Sequence, residues 1–214
     1  MNMKKTIICN IPTNSNVTPQ KYISTNPANL PASEQAYLYP INSFLSETVK
    51  SGDKLKAILI VTKDNKDCWK KNLEKFNTEL NEIVQKNGAK VDSTTEIEFD
   101  FNQDKVNNEQ LIMNLVDRIE TNSHIMVDIT YGFKSLPIIL FTVLNFATNH
   151  LSCEVDNIVY GQDSSDEDNK LIKDSTKLYN MIPLYYLSFL PQAIQYHGNN
   201  PQKVKDILRS LLIL

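Results

Sequence analysis

The residues whose chemistry stands out lie between Asp128 and Pro137, in the segment Asp-Ile-Thr-Tyr-Gly-Phe-Lys-Ser-Leu-Pro. The apolar residues 124–127 before it predict a buried strand, and the apolar residues 138–147 after it predict a buried helix. A strand that ends in Thr-Tyr-Gly and continues as a serine-capped helix directs several free N–H groups towards solvent. Such a group of donors binds anions, above all phosphates.

Composition and charge limit the partners of this segment. The chain has 214 residues, of which 41% are hydrophobic and 22% charged, as is usual for a soluble globular protein. Its net charge of −3 provides no basic field, so we expect no binding of long nucleic acid. Arg118 and Arg209 are the only arginines, and an anionic ligand would therefore depend on local geometry and a few lysines.

Cysteine usage and hydropathy predict a cytoplasmic protein. Cys9, Cys68 and Cys153 are far apart in the sequence, which is typical of reduced thiols, and we expect Cys9 and Cys153 to be small core residues. The N-terminus lacks the core of a signal peptide. The longest apolar run, 136–147, is too short for a bilayer, which requires about 20 residues, so no membrane contact is expected.

Hydrophobic periodicity predicts alternating strands and helices. Strands are expected at 5–11, 56–62, 91–99, 124–127 and 155–161, with a hairpin formed by 171–182 around the acidic turn 163–168. Helices are expected at 32–50 with Ser33 as cap, and at 66–87, 107–121, 138–147, 185–197 and 201–213. This order predicts an α/β, Rossmann-like, doubly wound and mostly parallel sheet with a β-hairpin and short C-terminal helices. The expected division is a ligand-binding domain, 1–184, and a helical appendage, 185–214.

Three polar segments follow predicted strands, at Pro12–Asn16, Thr62–Asn65 and Thr130–Ser135. Ligands of doubly wound sheets bind beyond the carboxyl ends of the strands, so we expect these three segments to lie at one edge.

Other conspicuous residues have structural interpretations. Asp128 is expected to cap a turn more often than to touch a ligand, and Trp69 and Phe133 are expected to be core residues. His124 begins a strand and His150 ends a helix, so neither is expected to belong to a metal-binding cluster. No metal and no cofactor are predicted.

Residues 128–137 resemble the Asp-Ile-Thr-His-Gly-Phe-Arg-Ser-Leu-Pro motif of a branch of the CARF proteins, the CRISPR-associated Rossmann-fold sensors of type III systems. Tyr131 replaces the histidine of the motif, and Lys134 replaces its arginine. The resemblance extends over roughly residues 3–198 and includes the polar loop after the first strand, Thr62 at the end of the second, and Val159-Tyr160-Gly161.

The resemblance implies a homodimer that binds one cyclic oligoadenylate across its two-fold axis in antiviral defence. Cyclic tetra-adenylate is favoured and cyclic hexa-adenylate is the alternative. The residues expected to bind it come from all the strand exits: Thr13, Asn14, Ser15, Asn16, Thr62, Asp64, Thr130, Tyr131, Gly132, Phe133, Lys134, Ser135, Tyr160 and Gly161.

Two classes of function remain open at this point. The first is a sensor, whose amphipathic C-terminal helix couples ligand binding to a partner or to an effector domain. The second is a metal-independent ring nuclease, in which a ribose 2′-OH attacks the adjacent phosphate. Lys134 and Ser135 are the candidate catalytic residues, with Tyr131 and Thr13 as further candidates. The sequence offers no strong general base, so such cleavage should be slow.

Overall fold

The structure is a computed structural model, which describes residues 3–14, 17–64, 66–163, 175–195 and 200–212. The chain divides after Asn180 into two compact units. The first unit contains a sheet and four helices, and the second contains two helices.

Seven strands form one sheet in the order β2-β7-β6-β5-β1-β3-β4. All neighbouring strands are parallel except β6 and β7, which form an antiparallel hairpin. The fold is therefore the α/β, doubly wound, mostly parallel class that the sequence predicts. The strands are β1 (Lys4–Asn10), β2 (Ile23–Ser24), β3 (Lys54–Thr62), β4 (Lys90–Phe99), β5 (His124–Asp128), β6 (Glu154–Gln162) and β7 (Lys177–Asn180).

The helices of the first unit pack in pairs, α1 beside α2 and α3 beside α4. They are α1 (Pro40–Thr48), α2 (Lys66–Asn87), α3 (Lys105–Val116) and α4 (Leu136–His150), and the second unit contains α5 (Ile182–Gln195) and α6 (Pro201–Leu212). None of the helices in the described ranges is long and apolar enough to cross a membrane.

Burial on both faces explains the continuous apolar character of the central strands. Ile7 and Cys9 of β1 pack in the core cluster that includes residues of α1 and α2. Ile8 between them is equally buried but lies outside that cluster, on the other side of the sheet. A strand covered on both faces has no solvent-facing positions, and its sequence does not alternate.

Helix α2 confirms its prediction residue for residue. It spans Lys66–Asn87, and Gly88 ends it with φ +69°, the left-handed conformation that glycine adopts without strain. Trp69 and Phe76 are buried in the core, as the helical spacing indicates.

Helix α1 is shorter than predicted, because it begins at Pro40 and Ser33 does not cap it. Tyr39, directly before the proline, is extended (φ −110°, ψ 127°), since the ring of a proline disfavours helical backbone in the preceding residue. Ser33 instead stabilises a local turn, in which its Oγ accepts a hydrogen bond from the N–H of Gln35 at 3.2 Å.

Helix α3 also differs at both ends from the predicted range 107–121. Asp104 caps its N-terminus by accepting a hydrogen bond from the N–H of Asn107 at 2.9 Å, and the helix ends at Val116. Strand β7 pairs with β6 in the predicted hairpin but covers only Lys177–Asn180 of the predicted range 171–182. Residues 164–174, which include most of the acidic turn, lie outside the described residues.

Candidate functional site

The strand order creates a crevice between β1 and β5. After the short edge strand β2, the chain forms β3 and β4 on one side of β1, whereas β5 and β6 lie on the other side of β1. The segments that follow β1 and β5 therefore diverge at the carboxyl edge of the sheet. Such a topological switch point is where doubly wound sheets bind their ligands.

A pocket of about 210 Å³ occupies this crevice. It contains residues from all three predicted strand exits, which confirms that these exits lie at one edge. The lining residues are Asn10, Ile11, Pro12, Thr13, Asn14, Thr62, Phe101, Tyr131, Gly132 and Phe133. The predicted site residues Ser15 and Asn16 lie outside the described residues.

The loop after β1 is held in place by Asn72 of α2. The buried side-chain amide of Asn72 donates hydrogen bonds to the carbonyl oxygens of Pro12 (2.7 Å) and Asn14 (3.0 Å). The carbonyl of Asn72 in turn accepts a hydrogen bond from the hydroxyl of Tyr39 at 2.8 Å. One wall of the pocket is therefore fixed to the core before any ligand arrives.

Asn10, the last residue of β1, is a candidate ligand-binding residue that the sequence did not single out. Its side chain is buried and lines the pocket, and its Oδ1 has no hydrogen-bond partner among the described residues. Its Nδ2 makes only a long contact of 3.5 Å with the carbonyl of Ile11. The sequence feature that could have identified Asn10 is a polar residue at the end of an otherwise apolar strand.

The loop after β5 presents free N–H groups. The backbone N–H groups of residues 131–135 donate to no acceptor in the part of the chain that the structure describes. By contrast, the first turn of α4 is mostly occupied: Leu136 N–H donates to the carbonyl of Phe133, Ile138 N–H donates to that of Ser135, and Pro137 has no N–H. The capacity to bind an anion therefore lies in the loop itself.

Ser135 precedes α4 but does not cap it in the way that the sequence predicts. Its backbone is helical (φ −76°, ψ −21°), and its side chain makes no capping hydrogen bond. The hydroxyl instead donates to Oε1 of Gln103 at 2.5 Å. Residues that cap a helix N-terminus usually have an extended backbone, which Ser135 lacks.

Gly132 is required by the shape of this loop. Its φ of +117° is strained for any residue with a Cβ. A Cβ here would lie 2.6 Å from Cδ2 of Leu136 and 3.2 Å from Cγ of Asn10. The glycine thus brings the β5 loop against the end of β1.

Tyr131 and Phe133 line the pocket while they pack against other aromatic rings. The Tyr131 hydroxyl donates to the carbonyl of Leu38 at 3.2 Å, and its ring meets that of Tyr39 edge-on. Burial raises the pKa of Tyr131 above its usual range, so the hydroxyl stays protonated. Phe133 packs edge-on with Phe99 and Phe101, at centroid distances of 5.2 and 4.9 Å.

Lys134 is the cation nearest to the free N–H groups along the chain. Its side chain is exposed and forms neither an ion pair nor a hydrogen bond with any described residue. A point charge beside several N–H donors is suited to a phosphate group.

Six predicted site residues do not line this pocket, and all of them except Lys134 have contacts within the protein: Asp64, Thr130, Lys134, Ser135, Tyr160 and Gly161. The Thr130 hydroxyl accepts a hydrogen bond from the N–H of Gly161 at 2.8 Å, and Tyr160 packs against Tyr179 across the hairpin. A Cβ on Gly161 would lie 2.5 Å from Cγ of Pro40, so this glycine permits α1 to approach β6. Asp64 is exposed, and its carbonyl accepts a hydrogen bond from the Thr62 hydroxyl.

Asp128 has the structural position expected of it, as a cap within the protein. Its carboxylate is buried and accepts hydrogen bonds from the N–H of Thr130 (2.8 Å) and of Ile41 (3.1 Å). Burial raises the pKa of Asp128 to about 6, although these N–H groups stabilise the charged form.

A larger pocket of about 470 Å³ lies beside β2. Its charged groups, Lys21 and Glu34, pair with each other, and no strand exit of the parallel sheet contributes to its lining. The switch-point pocket is smaller but combines donors, an unpaired acceptor and a neighbouring cation, and is therefore the better candidate site.

Comparison with known proteins identifies no relative, since no protein-family model and no curated protein matches the chain.

Proposed function

We propose that this protein is a CARF-type sensor that binds a cyclic oligoadenylate across a homodimer in type III CRISPR defence. Cyclic tetra-adenylate is the favoured ligand and cyclic hexa-adenylate the alternative. The observation that carries the proposal is the position of the Asp128–Pro137 segment. Its run of free N–H groups and Lys134 lie in the loop after β5, at the switch point of the sheet.

The size of the pocket supports a ligand that is shared between two chains. Small-molecule sites enclose about 300–1,000 Å³ when one protein surrounds the whole ligand. The switch-point pocket of about 210 Å³ is smaller and can enclose only part of a cyclic oligonucleotide. An isologous dimer would offer the same wall twice to a ligand that is itself symmetric.

The chemistry of the lining, and of Lys134 and Ser135 next to it in the chain, supports a nucleotide. The N–H groups of Gly132 to Ser135 and the ammonium of Lys134 suit phosphodiester oxygens. The unpaired Oδ1 of Asn10 can accept a hydrogen bond from an adenine amino group or a ribose hydroxyl. The half-buried ring of Phe133 offers an apolar surface to a base.

The same lining favours sensing over cleavage. Among its described residues the only titratable group is the Tyr131 hydroxyl, which already donates to Leu38. The hydroxyl of Ser135, one of the two candidate catalytic groups, is hydrogen-bonded to Gln103. Both hydroxyls already donate within the protein and neither is a strong base, so we expect binding with little or no turnover.

Calorimetry with cyclic tri-, tetra- and hexa-adenylate, and with linear tetra-adenylate as the control, tests this proposal. We expect tight binding of one ring per two chains, and chromatography of the mixture should recover an intact ring. A linear product with a cyclic 2′,3′-phosphate end would instead establish the ring-nuclease function. Failure of every ring to bind would refute both functions.

The helix Pro201–Leu212 belongs to the proposal as the element that transmits the signal. Its alternation of polar and apolar residues predicts one face that packs against another surface, in an effector domain or a partner protein. Deletion of residues 200–214 should leave ring binding unchanged if the helix acts only downstream of the sensor.

A further inference from the structure

Three potential metal ligands meet at the amino-terminal edge of the sheet, opposite the switch-point pocket. His124 begins β5, and Glu154 and Asp156 lie at the start of β6. The His124 Nδ1 is 2.8 Å from Oδ1 of Asp156 and 3.8 Å from Oε2 of Glu154, and one ligand atom from each residue lies within 4.8 Å of the others. The positions of these residues in the sequence did not indicate that their side chains would meet.

A β-bulge places these side chains together. In the parallel pairing of β5 with β6, His124 lies opposite Glu154 and Ile125 opposite Val155, but Met126 pairs with Asn157. Asp156 is thus the extra residue of β6, without a partner on β5. Bulges are rare in parallel pairs. Asp156 is exposed like Glu154, with the buried Val155 between them, and its carboxylate reaches the imidazole of His124.

The start of the cluster is hydrogen-bonded to its surroundings. The N–H of Glu154 donates to the carbonyl of Ser123 at 3.0 Å, which joins the residues before β5 to the start of β6. The Ser123 hydroxyl accepts a hydrogen bond from the Thr6 hydroxyl at 3.2 Å and contacts the thiol of Cys153 at 3.5 Å. Ligands on strands that are fixed in this way keep the geometry that a metal requires.

Among the described basic side chains, the two carboxylates of the cluster pair only with the imidazole of His124. Within the described ranges, neither Glu154 nor Asp156 pairs with a lysine or an arginine. The nearby Lys4 and Lys56 both pair with Glu120 instead. With a neutral imidazole the cluster carries two negative charges, which repel each other and which one divalent cation would neutralise.

We propose that His124, Glu154 and Asp156 bind a divalent transition-metal ion, for which Zn²⁺ is the best fit. One imidazole nitrogen and two carboxylate oxygens suit Zn²⁺, whereas Mg²⁺ and Ca²⁺ prefer oxygen ligands alone. Bonds of about 2.0–2.2 Å to one ion separate its ligand atoms by roughly 3–3.6 Å. The separations of 2.8 and 3.8 Å from His124 lie just below and just above that range, so small side-chain movements would bring the ligand atoms to it. The ion would clamp the amino ends of β5 and β6.

Titration of the chelator-treated full chain with Zn²⁺ tests the site. We expect binding of one ion per chain, a rise in the melting temperature with Zn²⁺, and no rise with the same concentration of Mg²⁺. X-ray absorption should show nitrogen and oxygen ligands without sulfur, which excludes the three cysteines as the source of binding. A wild-type chain that binds no Zn²⁺, or that binds it through sulfur, would overturn the proposal.

Variants assign the bound ion to these residues. Glu154→Gln and Asp156→Asn should each weaken Zn²⁺ binding at least tenfold, as should His124→Ala. The Glu154 side chain is 78% exposed, so its variant should fold normally and keep the wild-type melting temperature in the absence of Zn²⁺. His150→Ala removes an exposed histidine outside the cluster and should leave Zn²⁺ affinity unchanged. Unchanged affinity in Glu154→Gln and Asp156→Asn would place the ion elsewhere and refute the site.

Discussion

The carboxylate of Asp128 accepts a hydrogen bond from the N–H of Ile41 at 3.1 Å, so the end of β5 caps the N-terminus of α1. The other oxygen of the same carboxylate accepts a hydrogen bond from the N–H of Thr130 at 2.8 Å, at the start of the candidate ligand-binding loop. A negative charge near the first turn of a helix is favourable, since free N–H groups and the helix dipole converge there. One side chain therefore connects helix α1 with the loop after β5.

Ionisation of Asp128 should make the protein less stable as the pH rises from about 4 to about 6. Burial raises the pKa of Asp128 to about 6, above its ordinary value of 3.8, so the folded chain holds this proton more tightly than the unfolded chain. The stability supplied by the proton is complete below the unfolded pKa and is lost as the pH rises through the folded pKa. This difference in pKa corresponds to about 3 kcal/mol. In urea unfolding, the free energy of unfolding of the wild type should fall over this pH range relative to that of Asp128→Asn. If the two free energies of unfolding differ by the same amount at every pH, the raised pKa does not belong to Asp128.

Gly132→Ala should destabilise the protein and abolish ring binding. The backbone at φ +117° and the clash with Leu136 and Asn10 should cost about 1–3 kcal/mol, and the loop must move to relieve them. Gly88→Ala is the matched control, because Gly88 also has a positive φ (+69°) but lies after α2, away from the pocket. Both variants should melt at lower temperature, and only Gly132→Ala should lose binding in calorimetry. Equal loss of binding in both would show that general destabilisation is the cause.

Lys134→Ala should weaken binding of the cyclic adenylate by about 5- to 150-fold, which corresponds to about 1–3 kcal/mol for one charge-assisted contact. The side chain is exposed and unpaired among the described residues, so the melting temperature should not change. Lys90→Ala, at the start of β4 on the opposite edge, is the control for net charge and should bind normally. Affinity equal to that of the wild type would remove Lys134 from the site.

Asn10→Leu should separate binding from stability. The unpaired Oδ1 of this buried amide costs about 1–3 kcal/mol in the free protein, and leucine of similar size removes that penalty. We expect a variant that is at least as stable as the wild type in urea unfolding but binds the ring at least fivefold more weakly. Retained affinity would mean that the acceptor of Asn10 meets no ligand group.

Tyr131→Phe should reduce stability by about 1 kcal/mol and leave ring binding nearly unchanged. The variant loses the hydrogen bond to the carbonyl of Leu38 but keeps the aromatic ring and its edge-on packing with Tyr39. Because Tyr22 also donates to that carbonyl, the acceptor keeps a partner. A large loss of binding without a loss of stability would assign the hydroxyl to the ligand instead.

The elements that the sequence predicted well are those governed by local pattern. The apolar runs of β1, β3 and β5 indicated strands buried on both faces, and the spacing in α2 gave both of its ends. The alternation of strands and helices was sufficient for the fold class and for the common edge of the strand exits. The Asp128–Pro137 segment was located by its residue types alone, since glycine, lysine and hydroxyl residues between a strand and a helix are typical of an anion site.

The errors concern interactions whose partners are distant in the sequence. Ser33 fits the local pattern of a helix cap, but Pro40 displaced the start of α1. The hydroxyl of Thr130 accepts a hydrogen bond from the backbone N–H of Gly161, and the hydroxyl of Ser135 donates one to the side chain of Gln103. A local sequence pattern does not predict which distant group will form a hydrogen bond with a given hydroxyl.

The sequence by itself determined the layered fold, the apolar core and the position of the candidate ligand-binding loop, because hydrophobic burial and backbone conformation depend on neighbours along the chain. Only the tertiary structure decided which polar groups are used within the protein and which remain free. It paired Asp128 with α1, left the acceptor of Asn10 unpaired in the crevice, and brought His124 to Asp156 through a bulge in β6. These outcomes depend on strand register and helix position, which set hydrogen-bond distances between residues far apart in the chain.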